Sequence, residues 1–271
     1  MTRIGFVKLG NIGVSTVLDL ILDERADRED IEVRTISSGS KMGEEVVEDL
    51  VRIVEFHPDL IIAVSPNASL PGPRKIREAI KTPCIIVSDS PAKKTVKKLE
   101  EGGFGYIIIT GDPMIGARRE FLDPTEMALF NAEVLKMLSV CGVIRILQEE
   151  LDKAISSLNS DDLYLPRRIV DIDEIIRLEF SNPYAKAKAI ASYSIAEKVG
   201  EMNVKACFME KDKEKYIQLV AASHELIRIA AILADESREL EKSVDGVIRT
   251  PHGKRGETFF KRGLMETLEK R

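Results

Sequence analysis

Over the first 110 residues, short runs rich in β-branched residues alternate with longer amphipathic runs. The short runs are Ile4 to Leu9, Ile31 to Ser37, Leu60 to Val64, Cys84 to Val87 and Tyr106 to Thr110. They read as apolar on both faces, the pattern of strands in a parallel sheet covered by helices on both sides. Between them the spacing predicts helices over Val14 to Leu22, Gly43 to Phe56, Pro73 to Ile80 and Ala92 to Glu101. In Gly43 to Phe56 the residues Val46, Val47, Leu50, Val51 and Val54 recur with the 3.6-residue period of one buried face. The alternation predicts an α/β fold, a doubly wound and mainly parallel sheet whose ligands sit beyond the carboxyl ends of its strands.

After Asp112 the character changes. Asp123-Pro124-Thr125-Glu126 reads as a helix start: Asp at the N-cap, Pro in the first turn and Glu completing a capping box. Met127, Phe130, Val134, Leu138 and Cys141 follow at helical spacing. Asn182-Pro183 opens an Ala-rich helix, and a third runs from about Glu214 to Lys242 with Ser223, Ala230, Ala234 and Ser237 on its apolar stripe. Small residues on that stripe predict close helix packing. The expected division is an α/β coenzyme-binding domain over 1–122, then a helical bundle over 123–271 with a basic, Gly-rich tail. Arg167 to Ile172 and Val204 to Phe208 are β-prone and are expected to form a small accessory sheet.

Composition narrows the function. Forty Lys plus Arg against 45 Asp plus Glu give a formal charge of −5, with 44% hydrophobic residues in 271. Such a chain buries a sizeable core. Its acidic balance disfavours nucleic-acid partners, which need a basic face. The longest uncharged stretch, Leu60 to Pro73, holds three prolines and falls short of the ~20 apolar residues of a membrane span. No membrane partner is expected. Cys84, Cys141 and Cys207 lack the spacing of a zinc site or disulfide framework and read as buried, reduced thiols. No metal is expected, and with no cleavable leader pattern the expected location is the cytoplasm.

Four loops after strands concentrate Gly, Pro, Asn, Asp and Ser. Gly10-Asn11-Ile12-Gly13 precedes a helix, where glycines let backbone approach a ligand and free N–H groups attract electron-rich groups. After the second strand, Ser37-Ser38-Gly39-Ser40-Lys41 lacks the acid that holds the ribose of NAD. NAD is disfavoured, whereas NADP or another phosphorylated cofactor remains open. The third loop, Ser65-Pro66-Asn67-Ala68-Ser69-Leu70-Pro71-Gly72-Pro73, is rigid and polar, and the fourth is Ser88-Asp89-Ser90-Pro91-Ala92-Lys93-Lys94. One cleft explains four such loops on one edge better than four independent turns.

Acid–base machinery is sparse. His57 reads as a surface turn residue and His224 as a packing residue on the long helix; His252, in Thr250-Pro251-His252-Gly253, sits on a loop. No catalytic residue is assigned, and no nucleophile elbow, zinc helix or Walker loop is present. A cofactor-type cleft without such groups points to chemistry carried by the cofactor, hydride transfer foremost. Arg118 and Arg119, before the helix start at Asp123, either clamp an anionic group or tie domains or subunits through Glu120 and other acids.

These features converge on a family. Lys8-Leu9-Gly10-Asn11-Ile12-Gly13, Leu22-Asp23-Glu24-Arg25-Ala26-Asp27-Arg28-Glu29-Asp30, Pro71-Gly72-Pro73, Gly116-Ala117-Arg118-Arg119-Glu120-Phe121-Leu122-Asp123-Pro124, Asn182-Pro183-Tyr184-Ala185 and Arg249-Thr250-Pro251-His252 resemble the coenzyme F420-dependent methylenetetrahydromethanopterin dehydrogenases of archaea, over nearly the whole chain. The resemblance implies reversible hydride transfer from N5,N10-methylenetetrahydromethanopterin to a dissociable deazaflavin, with no metal, in a homohexamer. The coenzyme has no adenosine and ends in a phosphodiester and glutamates, which accords with the missing ribose acid. Mapped onto this chain, the cofactor side falls on Gly10, Asn11, Ile12, Ser65, Asn67, Ser88, Asp89 and Pro91. The pterin side falls on Arg118, Arg119, Glu120, Asn182 and His252. The chain departs from the family where Ser65 and Ser88 stand in place of glycines. Two alternatives remain: an NADP-dependent methylene-pterin dehydrogenase, and a noncatalytic phospholigand-binding or assembly protein.

Overall fold

A computed structural model describes residues 1–26 and 28–270, the side chains of Arg25 and Ala26 apart. Asp27, in the string from Leu22 to Asp30, and Arg271, the end of the expected second domain, lie outside the described residues. Six strands form one sheet: β1 (Thr2–Lys8), β2 (Ile31–Ser37), β3 (Leu60–Ser65), β4 (Cys84–Asp89), β5 (Gly105–Ile109) and β6 (Arg167–Val170). Their order is β2-β1-β3-β4-β5-β6. The first five pair in parallel, and the register sets Lys8 beside Ser37 and Val64, Ser65 beside Ser88, and Asp89 beside Ile109. The carboxyl ends therefore share one edge. The chain leaves β1 for β2 on one side and returns past it to β3, making a topological switch point between β1 and β3.

β4 and β5 are buried throughout, as strands covered on both faces must be. β2 departs from the expected apolar pattern because it is an edge strand, and it exposes polar positions. The helices of this region are α1 (Gly13–Ala26), α2 (Val47–Val51), α3 (Pro71–Ala79) and α4 (Val96–Glu101). The predicted helix from Gly43 to Phe56 is broken: 3₁₀ turns at Glu44–Val46 and Arg52–Phe56 flank α2. β-Branched residues crowd this segment and weaken a regular helix. The tighter winding puts Ile53 in the core and leaves Val54 exposed. The segment predicted as a helix from Ala92 likewise begins as a 3₁₀ turn, Ser90–Thr95.

The remaining helices are α5 (Pro124–Val140), α6 (Val143–Ser157), α7 (Ile172–Arg177), α8 (Pro183–Val204) and α9 (Lys213–Ser243). Asp123 caps α5 by accepting from the N–H groups of Thr125 and Glu126, and Asn182 caps α8 by accepting from Tyr184 and Ala185. α8 and α9 pack along their small residues. Ser192 donates to the Ala230 carbonyl at 2.6 Å, Ser237 to the Ala185 carbonyl at 2.7 Å and Ser223 to Asn203 Oδ1 at 2.6 Å. Hydroxyls thus satisfy buried acceptors where the two backbones come close. By length and composition alone α9 is long and apolar enough to cross a membrane, a test that the core helix of a soluble protein also passes. A third of its most apolar stretch is buried, and its serines bond across to α8.

Contacts divide the chain into two compact units: Met1–Ile109 with Ile144–Ile169 and His252–Gly256, and Thr110–Val143 with Val170–Pro251 and Glu257–Arg271. This differs from the expected boundary at residue 122, because the chain re-enters the sheet. Tyr106 N–H donates to the Pro166 carbonyl at 2.6 Å, which starts β6 as a sixth strand beside β5 and not as part of an accessory sheet. The small separate sheet is formed instead by β7 (Phe259–Phe260) and β8 (Glu269–Lys270), with an Arg249–Lys261 bridge beside it. Val204 to Phe208, expected to be β-prone, is helical: it ends α8 and enters a π-turn, Lys205–Met209.

Candidate active site

The crevice is built where β1, β2 and β3 end. Gly10 has φ +79°, a left-handed conformation open to glycine, and a Cβ placed there would stand 2.7 Å from Met42 and 2.9 Å from Pro66. The segments following all three strands therefore converge on one glycine. Asn11, next in the chain, is exposed, whereas Ile12 is buried and its N–H lies 3.3 Å from Ser15 Oγ. Of the predicted Gly10–Ile12 group, Asn11 is the side chain that remains available, and Ile12 serves the core.

The loops after β3 and β4 are tied together. Ser88 is fully buried; its hydroxyl donates to the Ser65 carbonyl at 2.7 Å and accepts from Ala68 N–H at 3.0 Å. Ser65 is also buried. The side chains of both serines expected to bound the cleft are thus enclosed, and Ser88 acts by holding the β3 loop. Asn67 accepts from Ser69 N–H at 3.0 Å and from Ser69 Oγ at 2.6 Å, an Asx turn that fixes the loop before α3. Asp89, 7% exposed, caps the 3₁₀ turn by accepting from Ser90 N–H, and Pro91 follows half-buried. After β2, Ser38 Oγ donates to the Lys41 carbonyl at 2.7 Å and lies 3.4 Å from Gly10 N–H, while Lys41 is exposed. No acid stands at this strand end.

The residues expected on the pterin side are placed otherwise. Arg118 spends its guanidinium on the carbonyls of Ala206 and Glu210, at 2.7–3.1 Å, and lies 3.9 Å over the Tyr216 ring. It caps the π-turn. Arg119 is exposed with no ion pair among the described residues. Glu120 lies 3.6 Å from Lys213 and 3.5 Å from Tyr216 Oη, and a backbone hydrogen bond, with Lys213 nearby, keeps its carboxyl below the usual range. Asn182 is spent as the α8 cap, and its N–H donates to Glu241 at 2.7 Å. His252 is held between carboxylates, Nδ1 at 2.9 Å from Glu24 and Nε2 at 2.9 Å from Asp152, with its side chain 1% exposed. It ties the tail segment to the first unit.

His57 is an exposed turn residue with φ +51°, as its place before Pro58 suggested. His224 packs on Phe121 and Phe130, 5.1 and 5.0 Å between centroids; burial pushes its pKa down despite Glu126 at 3.5 Å. Among the described residues its buried Nε2 finds no hydrogen-bond partner, so it is a packing residue but not a fully satisfied one. Burial pushes the thiols of Cys84 and Cys141 up to about 12; Cys207 is only half-buried, with Ala117 N–H 3.1 Å from its sulfur. Among the described residues no group of three or more His, Cys, Asp or Glu could hold a metal ion.

A cluster at the start of the second unit escaped sequence reasoning. The Tyr193 hydroxyl donates to the Val170 carbonyl at 2.6 Å and accepts from Gly111 N–H at 3.0 Å, while Thr110 donates to Glu197. Burial raises the Tyr193 phenol far above its usual range. Asp112 is fully buried two residues on. Thr110-Gly111-Asp112-Pro113 has the composition of the other post-strand loops, and that signal could have marked it.

The chain matches the family model for methylene-5,6,7,8-tetrahydromethanopterin dehydrogenase over residues 2–269. It belongs to that family. An F420-dependent methylenetetrahydromethanopterin dehydrogenase of Archaeoglobus fulgidus is 54% identical, covering 99% of this chain and 100% of the relative. The enzyme of the same name from Methanocaldococcus jannaschii is 50% identical over the same shares. A solved structure of an F420-dependent methylene-tetrahydromethanopterin dehydrogenase, in complex with methylene-tetrahydromethanopterin and coenzyme F420, superposes with a TM-score of 0.95 at 46% identity. The match covers 99% of this chain and 100% of that one. The resemblance read from the motifs and the α/β fold class are both borne out.

Proposed function

We propose that this protein catalyses reversible hydride transfer between N5,N10-methylenetetrahydromethanopterin and coenzyme F420, giving the methenyl pterin and the reduced coenzyme. The observation that carries the reading is the full-length likeness, at TM-score 0.95, to an enzyme solved with both compounds. The donor set agrees. The end of β2 offers Ser37, Ser38 and Lys41 in place of a ribose-binding acid, which suits an anionic coenzyme without adenosine. When bound, the deazaflavin supplies a ring carbon that accepts hydride.

The chain's own task is to position and enclose. Asn11, Asn67, Asp89 and Pro91 are the groups of the crevice for the coenzyme side, with Gly10 giving backbone room and Ser65 and Ser88 fixing the frame. Hydride transfer gains most from holding donor and acceptor at near-attack distance, and no side chain need carry a proton. Arg119 and Glu120 are exposed on the second unit and remain the candidates for the pterin side; Arg118, Asn182 and His252 support the fold. Exposed Leu129 on α5 with Ile229 and Ile232 on α9 leaves apolar surface that suits a homo-oligomer, a hexamer by family resemblance. Cytoplasm is the compartment that suits this metabolic role.

The test is an anaerobic assay of the purified chain with methylenetetrahydromethanopterin and each oxidised coenzyme in turn. Loss of the deazaflavin's visible absorbance is expected. Reduction of NADP with the deazaflavin left oxidised would overturn the reading, and binding without turnover would favour an assembly role.

A further inference from the structure

Two strings singled out in the sequence, Leu22 to Asp30 and Arg249 to His252, are not used by the crevice, yet the fold brings them together. His252–Gly256 belongs to the first unit, whereas the residues on either side of it belong to the second. These residues form a strap closed by a turn, in which Gly256 N–H donates to the Gly253 carbonyl at 3.0 Å. The strap, His252-Gly253-Lys254-Arg255-Gly256, contains no apolar side chain, and Lys254 and Arg255 are exposed. Hydrophobic burial therefore contributes little to holding it down.

What holds it is polar. The Lys254 carbonyl accepts from Glu29 N–H at 2.7 Å. Gly256, with φ +81°, lies so close to Arg28 that a Cβ would stand 2.3 Å from Nη2. His252 supplies the enclosed side chain, 1% exposed. Its N–H donates to Glu24 Oε1 at 2.9 Å, Nδ1 lies 2.9 Å from Glu24 Oε2, and Nε2 lies 2.9 Å from Asp152 Oδ2. Glu24 comes from α1 and Asp152 from α6.

Around them stand Gln148 of α6, uncharged and 3.5 Å from Nδ1, and the Arg28–Asp30 pair of the α1–β2 turn, 2.7 Å between Nη2 and Oδ2. Arg28 reaches Asp152 at 4.0 Å. Hydrogen bonding to Arg28 holds the Asp30 carboxyl below its usual range, and positive charge on His252 adds to that effect.

Ionised carboxylates only accept hydrogen bonds, and a neutral imidazole has a single N–H. The imidazolium alone donates to Glu24 and Asp152 at once. Loss of its proton sets a ring lone pair against a carboxylate oxygen in an enclosed place, where such a mismatch is costly. Histidine is also the side chain that changes charge near neutral pH. We propose that His252 is a pH-operated latch: the strap is docked on α1 and α6 while the ring carries its proton, and is released as rising pH sends that proton to solvent.

The experiment is hydrogen–deuterium exchange of the full chain from about pH 6 to about pH 9. It is read as protection factors, which remove the intrinsic pH dependence of exchange, at the amides of Glu29, His252 and Gly256. Protection there is expected to fall by roughly tenfold across the range, through loss of one charge-assisted hydrogen bond, while amides of α8 and α9 keep theirs. Two variants separate the latch from a merely structural role. In His252→Gln a neutral amide meets both carboxylates, so protection of the strap should be low and flat with pH. In Asp152→Asn the new amide donates to the neutral ring, so the strap should stay protected throughout. Constant protection in the unsubstituted chain, a step of the same size in either variant, or a fall shared equally by α8 and α9 would overturn the proposal.

Discussion

The Ser88 hydroxyl donates to the Ser65 carbonyl at 2.7 Å and, by accepting from Ala68 N–H, locks the end of β4 to the loop after β3. These are the two positions where the family resemblance leads one to expect glycines. Both serines are buried, so neither narrows the exposed crevice, and the added hydroxyl stiffens its wall. Ser88→Ala strands a buried carbonyl and a buried N–H and is expected to cost ~1–3 kcal/mol of stability. The coenzyme KM should rise as the loop loosens. Thermal denaturation with steady-state kinetics checks this; an unaltered melting point and KM would contradict it.

Adjacent residues in the first loop separate fold from function. Gly10→Ala forces a Cβ toward Met42 and Pro66 at φ +79° and is expected to lose ~1–3 kcal/mol. Asn11→Leu changes an exposed side chain and should stay within ~0.5 kcal/mol while sharply reducing turnover. Denaturant titration beside kcat/KM distinguishes the two. Equal losses of stability and activity in Asn11→Leu would return that residue to a structural role.

His252 has carboxylates at both ring nitrogens, an arrangement an imidazolium satisfies with two donated hydrogen bonds. His252→Gln should destabilise by ~2–3 kcal/mol, less than the ~3–5 of a fully buried pair because Glu24 and Asp152 keep some access to water. The folded fraction should keep its pterin KM. A stable variant with a raised pterin KM would restore His252 to the substrate side.

His224 supplies a pH dependence. Burial lowers its folded pKa from the usual 6.5, so below about pH 6.5 the unfolded chain takes up a proton that the folded chain resists. Its contribution to stability is therefore lost on acidification below that pH and is flat above it. Relative to a His224→Phe variant, which keeps the contacts with Phe121 and Phe130, the unsubstituted chain should lose stability from pH 6.5 downward. Parallel stability–pH curves for the two proteins would contradict this.

Local signals in the sequence carried far. The β-α alternation, the caps at Asp123 and Asn182, and the small-residue stripe of α9 each depend on neighbours in the chain, and the structure places them as read. What failed depended on partners far away in sequence. Nothing near Arg118 announces the carbonyls of Ala206 and Glu210, and nothing near His252 announces Glu24 and Asp152. Val204 to Phe208 has β propensity, but it continues a long helix, and Arg118 takes the carbonyls freed by its π-turn. Return of the chain to β5 as β6 was likewise hidden, because strand order is a tertiary property.

Direct hydride transfer between the two bound ring systems leaves an isotopic record. The sharpest measurement is a single turnover with methylenetetrahydromethanopterin deuterated at the methylene carbon, followed by mass analysis of the deazaflavin. Deuterium is expected on the accepting carbon of the reduced coenzyme, with none washed out to water. Deuterium recovered in solvent, or in NADPH with the deazaflavin still oxidised, would contradict it.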